Sequence, residues 1–260
     1  MNILAPDSRL WATAGRLAEL GQGAGARIPG FGAAALDGAV VGRLPVAALH
    51  EIHAAADDAA SGAAFALLLA VHALDDGRPI LWVRERKSTR ALGHIHAPGL
   101  AELGVAPARL IHVEADDAVA TLRVAADAAR CAGLGAVVIE PWGDPPALDL
   151  TATRRLMLAT QASGVMGVLL RIEARASPSA AQSRWQVRAA PSLALEAEAP
   201  GLPAFDVCLL RQRGGIAGIE ARLEWNRDEA QFRAQGAGAP LSGAVFPLAA
   251  DRTAAHPSTA

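Results

Sequence analysis

Apolar positions along this chain follow two spacings in turn. Residues 8–20, SRLWATAGRLAEL, place Leu10, Ala14, Leu17 and Leu20 on one side of a 3.6-residue repeat, which predicts an amphipathic helix. A glycine-rich stretch, 21–34, follows and reads as a link between that helix and the rest. From residue 48 onward, short apolar runs alternate with helical patterns. Strands are predicted at 48–53, 79–83, 109–115, 136–142 and 165–173, and helices at 61–74, 99–104, 117–133 and 151–164. Thr151 or Thr153 reads as the N-cap of the last helix. Strands that are apolar throughout, rather than at alternate positions, fit a mostly parallel sheet covered by helices on both faces.

After about residue 180 the pattern changes. Residues 183–190, 205–213 and 219–225 are strand-like with no helix between them, and Gly214–Gly215 marks a hairpin joining the last two. These strands are expected to extend the sheet in antiparallel fashion. Beyond Phe232 the chain is rich in Ala, Gly, Pro and Ser and reads as a flexible tail. The expected organisation is a helical arm at 1–24, an α/β domain at 25–232 with its sheet core between about Leu44 and Trp225, and a tail at 233–260.

Composition narrows the function classes. At 260 residues and 52% hydrophobic, the chain can bury the core of one large domain. Its longest apolar run, 63–74, is well short of the about 20 residues a membrane span needs, and no basic-then-apolar leader opens the sequence. A soluble cytoplasmic protein is expected. The net charge of -2 provides no overall basic field for nucleic acid, so any DNA contact would rest on local patches. Lys87 is the only lysine; every other basic residue except the histidines is arginine. Cys131 and Cys208 sit in apolar surroundings and are expected as buried, reduced thiols.

The order of elements resembles the RecA-type ATPase core: a lead helix, a strand, a loop, a long helix, alternating β/α units, then antiparallel strands. Residues 44–74, LPVAALHEIHAAADDAASGAAFALLLAVHAL, stand where that core has its strand, phosphate loop and helix. More specifically, RLPVAALHEIH, PILWV, HAPGLAELGVAPARLIHVEA, LDLTATRRLMLATQASGV, SRWQV and LLRQRGG, in order from residue 43 to 215, resemble the ImuA family, a degenerate RecA-like branch with a SulA-like relative. His96 departs from the aromatic residue often found before the Ala-Pro-Gly-Leu segment. The resemblance implies a RecA-like α/β fold and a place in damage-induced mutagenic DNA synthesis. The implied partners are an ImuB-like inactive relative of Y-family polymerases, an error-prone replicative-type polymerase and RecA, with direct DNA contact left open. Two other readings of the same resemblance are a divergent RecA-like ATPase and a SulA-like inhibitor of cell division.

The phosphate loop decides between chemistry and none. A G-x-x-x-x-G-K-[ST] loop wraps phosphates with backbone amides, neutralises them with lysine and holds magnesium with its hydroxyl. The corresponding segment, from His53 to Phe65, lacks the first glycine, and after Gly62 places Ala63 and Ala64 at the lysine and hydroxyl positions. Asp57 and Asp58 add charge that repels a triphosphate. No enzyme activity and no cofactor is expected. Glu140, ending a strand where a Walker-B acid would lie, is expected only to cap that strand, and Glu85 to be solvated within the RERKS charge cluster.

No metal site is expected. His50 and His53 are three apart on a predicted strand and point to opposite faces, and His94 and His96 lack a third ligand at metal spacing. Arg154 and Arg155 open a helix, where positive charge opposes the dipole and calls for compensation. Arg184 and Arg188 share one face of a strand, and so do Arg211 and Arg213. These six arginines are either salt-bridged and solvated surface or a partner or DNA contact surface. Leu10, Leu17 and Leu20 form a stripe suited to contact with another copy or with RecA.

Overall fold

The computed structural model describes residues 25–40, 44–74 and 77–235. In chain order its helices are α1 (Ala34–Val40), α2 (Ala59–Ala73), α3 (Arg86–Leu92), α4 (Ala97–Glu102), α5 (Ala118–Ala128) and α6 (Leu150–Ser163). Its strands are β1 (Leu49–Ala54), β2 (Ile80–Glu85), β3 (Leu110–Ala115), β4 (Ala136–Glu140), β5 (Met166–Ile172), β6 (Ser183–Ala190), β7 (Ala204–Gln212), β8 (Ile219–Asn226) and β9 (Gln231–Ala234). All nine described strands join one sheet in the order β3-β2-β4-β5-β1-β6-β7-β8-β9. The strands from β3 to β6 pair in parallel, and β6 to β9 pair antiparallel. The expected α/β architecture, parallel with antiparallel strands added on the C-terminal side, is the one observed.

Position in the sheet accounts for the sequence patterns. β1, β4 and β5 lie in its middle and are buried at every residue; β4 and β5 therefore read as nearly continuous apolar runs, whereas β1, LHEIHA, buries His50, Glu51 and His53 as well. α2 covers one face and is apolar almost all round, and its Phe65 and His72 pack into an aromatic cluster with rings from β6 to β9 and Phe31. In that cluster Phe232 stacks about 5.0 Å from both Phe65 and Trp225, and Phe31 lies 5.7 Å from Trp185. α5 and α6 cover the other face over β2, β4 and β5, packing Leu156, Val137, Ile139 and Leu169 into a second core layer. Among the described residues no helix covers the same face of β6 to β8, which antiparallel strands tolerate because alternate residues are polar.

Several expectations change. The glycine-rich link is not a bare connector: Ile28 and Phe31 are fully buried, and Ile28 N–H bonds Leu44 O at 2.9 Å. The core therefore begins well before Leu44, and α1 was not anticipated because seven residues carry too short a periodic signal. The core also runs past Trp225, since Phe232 on β9 is 3% exposed and sits among five rings. α3 forms from the RKSTR segment, which looks like a solvated charge run in sequence. Asp149, rather than a threonine, caps α6 by accepting Ala152 N–H at 2.7 Å, a full turn earlier than Thr153 would. Neither cysteine is buried: Cys131 follows α5 on the surface, and Cys208 lies half-buried on the uncovered face of β7. The arm helix with Leu10, Leu17 and Leu20, and nearly all of the tail, lie outside the described residues.

Candidate functional site

A RecA-like sheet presents ligands at the carboxyl ends of its parallel strands, beside the loop after the first of them. In this chain that loop is only residues 55–58, between β1 and α2. Asp58 does not cap α2 with its side chain; its carboxylate reaches across to accept Ala189 N–H at 2.8 Å, tying the loop to β6. The glycines of G-x-x-x-x-G stand five residues apart, so counting back from Gly62 puts Asp57, an exposed residue and not an alanine, at the first glycine position. Gly62 itself has a packing role. A β-carbon there would lie 2.6 Å from that of Ala54, so its absence lets α2 approach β1.

Two cavities flank the loop. One, about 500 Å³, is lined by His53, Asp57, Glu173 and Gln186 and carries no lysine or arginine. The other, about 420 Å³, is lined by Ala56, Ala60, Ala63, Leu67, Trp82 and Arg84. Arg84 is the one strong base lining it, and it is fully committed: its Nε and Nη2 donate to Glu140 at 2.8 and 2.9 Å, and its Nη1 to Gly93 O at 2.9 Å. Trp82 Nε1 donates to the same carboxylate at 2.8 Å. Burial raises the Glu140 carboxyl above its ordinary value, and the bonds from Arg84 and Trp82 oppose that rise. Glu140 is thus more than a strand cap. It clamps β4 to β2 and, through Arg84, fixes the turn at Gly93. Glu85 is also not solvated. β2 runs two residues further than expected and carries Glu85 inside at 2% exposure, where it accepts Trp142 N–H at 3.0 Å and faces Lys87 Nζ at 3.7 Å.

The densest charge lies on the opposite face of β1. Glu51, fully buried, accepts Ser179 Oγ–H at 2.7 Å and Arg184 Nε–H at 2.9 Å. Arg171 Nη1 and His53 Nε2 approach it at 3.4 and 3.2 Å. Burial alone would raise its carboxyl; contact with His53 and Ser179 and the charge of Arg184 outweigh this and hold its pKa down to about 2. Arg171 continues the chain to Asp144 at 2.7 Å, and Asp144 accepts Arg175 N–H at 3.1 Å. Arg184 also bonds Ser177 O, and Arg211 bonds Ser179 O at 3.1 Å and Ala181 O at 2.9 Å. The network pins the two segments that follow β4 and β5 onto the strand ends.

The histidines and arginines divide accordingly. His50, on the other face from His53, bonds Ser183 Oγ at 2.8 Å and Pro45 O at 3.0 Å, and burial pushes its pKa down to about 4. His96 caps α4 by accepting Gly99 N–H at 3.3 Å. Among the described residues, no group of three or more His, Cys, Asp or Glu is arranged to hold a metal ion. Of the six arginines read as a possible contact surface, Arg184 and Arg211 belong to the Glu51 network, whereas Arg154, Arg155, Arg188 and Arg213 are exposed. Cross-strand register sets Arg188 opposite Asp206 and Asp206 opposite Arg222, a charge ladder on the uncovered sheet face. Sequence reading passed over Glu51 and Arg171. The available signal was Arg171 in an otherwise apolar strand and Glu51 between two histidines on its neighbour. No described helix is long and apolar enough to cross a membrane.

Comparison with known proteins matches this architecture. No family model matches the chain. It is 37% identical over 215 residues to Protein ImuA of Caulobacter vibrioides, in strains NA1000 and CB 15 alike, covering 75% of this chain and 84% of the relative. The crystal structure of the RadB recombinase superposes with a TM-score of 0.50 at 13% identity, covering 79% of this chain and 98% of that one. That similarity concerns the fold.

Proposed function

The chain belongs to the ImuA family, and from that premise we propose that it is a non-enzymatic accessory protein of damage-induced mutagenic translesion synthesis. It bridges an ImuB-like subunit, an error-prone replicative-type polymerase and RecA, and it works in the cytoplasm at the nucleoid. The observation that carries the non-enzymatic reading is the loop after β1. Asp57 stands at the first glycine position, Ala63 and Ala64 at the lysine and hydroxyl positions, and Asp58 is spent on Ala189 N–H. The flanking cavities present acids on one side and a neutralised Arg84 on the other. A triphosphate with magnesium finds neither a cradle of amides nor a countercharge there.

Thermal melting with and without magnesium ATP tests the absence of a nucleotide site. A ligand at 100 times its dissociation constant stabilises a fold by about 2.7 kcal/mol, which a domain of this size shows as a rise of about 5–10 °C. Unchanged melting at millimolar nucleotide is expected; a rise of that size would make the chain a divergent ATPase instead. Purified ImuB-like subunit, polymerase and RecA, each tested for direct binding to the full chain, check the bridging role. Binding to the division tubulin homologue, and to none of the three, would replace it with the SulA-like reading.

A further inference from the structure

The outer surface of α5 and α6 differs from the rest of the molecule. Of the eight large apolar side chains more than 40% exposed among the described residues, Val119 on α5 and Leu150 and Leu158 on α6 lie on these two adjoining helices. Between the helices runs a groove of about 280 Å³ with an apolar floor that includes Leu122, Ala126 and Leu156. A helix surface facing only water would carry polar residues at such positions.

Charge gives the second observation. Arg123 and Arg155 line the groove and both are exposed; Arg154, also exposed, lies on the outer side of α6. None of them has a carboxylate partner, although most arginines of the described chain do bond a carboxylate or a carbonyl. The acids nearest in the fold are already occupied: Asp117 and Asp149 cap α5 and α6, and Asp127 pairs with Arg130. The groove is therefore apolar along its floor and net positive along its rim.

We propose that the α5–α6 groove docks a short acidic segment of a partner protein, one that inserts apolar side chains between the helices and sets Asp or Glu against Arg123 and Arg155. An amphipathic helix laid in a groove is the recognition mode that uses both features. The planar fork of arginine suits paired hydrogen bonds to carboxylates, and the unpaired rim charges would speed encounter with an acidic partner. Nucleic acid would use the arginines but leave the apolar floor without a role. The inference does not depend on the identity of the partner and stands independently of the proposed translesion role.

The test is a selection of random displayed peptides on the full wild-type chain, followed by fluorescence anisotropy with the enriched peptides. Enriched sequences are expected to combine apolar residues at helical spacing with Asp or Glu. They should bind the Arg123→Glu, Arg155→Glu variant about tenfold more weakly, and the Val119→Ser variant should also bind them more weakly. Replacing the peptide's acids by lysines should restore binding to the charge-reversed variant. Both variants change exposed residues, and a melting temperature close to wild type verifies their folding. No enrichment, enrichment of basic or neutral sequences, or equal binding by both variants overturns the proposal. So does a labelled single-stranded oligothymidylate that binds wild type and loses the charge-reversed variant while the peptides do not.

Discussion

Replacing Glu51 by glutamine keeps the size of the side chain and removes its charge, which makes it a direct probe of the network on β1. In the native protein the carboxylate compensates Arg184 and approaches Arg171, both side chains largely buried, and accepts from Ser179. Removing one partner from a buried ion pair costs about 3–5 kcal/mol, because the remaining charge stays out of water. The titration of the group gives an independent figure. Depression from its ordinary 4.5 to about 2 corresponds to about 3 kcal/mol of folding free energy. Because the folded pKa lies below the unfolded one, this stability is fully present above about pH 4.5 and is lost as pH falls towards 2. Urea unfolding followed by circular dichroism, on wild type and Glu51→Gln from pH 7 to pH 3, reads both quantities. The variant should be less stable by about 3 kcal/mol at pH 7, and the gap should shrink steadily below pH 4.5. A difference under about 0.5 kcal/mol at pH 7 would mean that the buried charges are compensated without Glu51. A gap that stays constant across the acid range would mean that shape, rather than charge, carries the effect.

Further outcomes follow from the same coordinates. Gly62→Ala, despite adding a better helix former, forces a β-carbon to within 2.6 Å of Ala54 and should cost about 1–3 kcal/mol in urea unfolding. Arg211→Ala should lose about 1–3 kcal/mol by stranding the carbonyls of Ser179 and Ala181, whereas the exposed Arg213→Ala should change stability by less than about 0.5 kcal/mol. Phe232→Ala should cost about 3–5 kcal/mol by opening the aromatic cluster. A chain ending after residue 235 should melt like the full chain, and one ending after residue 230 should melt far lower; equal melting of the two would remove β9 from the folded core.

Much of the fold was legible because secondary structure and burial leave a periodic trace. Central strands of a parallel sheet are apolar on both faces, so β4 and β5 announce themselves, and the loss of helical spacing after residue 180 announces the antiparallel end. The ordered set of family-like segments was local too, and so was the loop without lysine or hydroxyl. What the sequence could not contain was which distant side chains share one place. Glu51 meets Ser179 and Arg184 from 128 and 133 residues away, and only the parallel pairing of β1 with β5 and β6 brings them together. That pairing turned Arg184 and Arg211 from surface candidates into internal braces. In the same way the register of β2 with β4 made Glu140 a clamp, and the packing of Phe232 against rings from β7, β8 and α2 extended the core beyond Trp225. Charge and aromaticity are written in the sequence, but whether a charge is solvated or buried depends on neighbours that long-range strand pairing alone supplies.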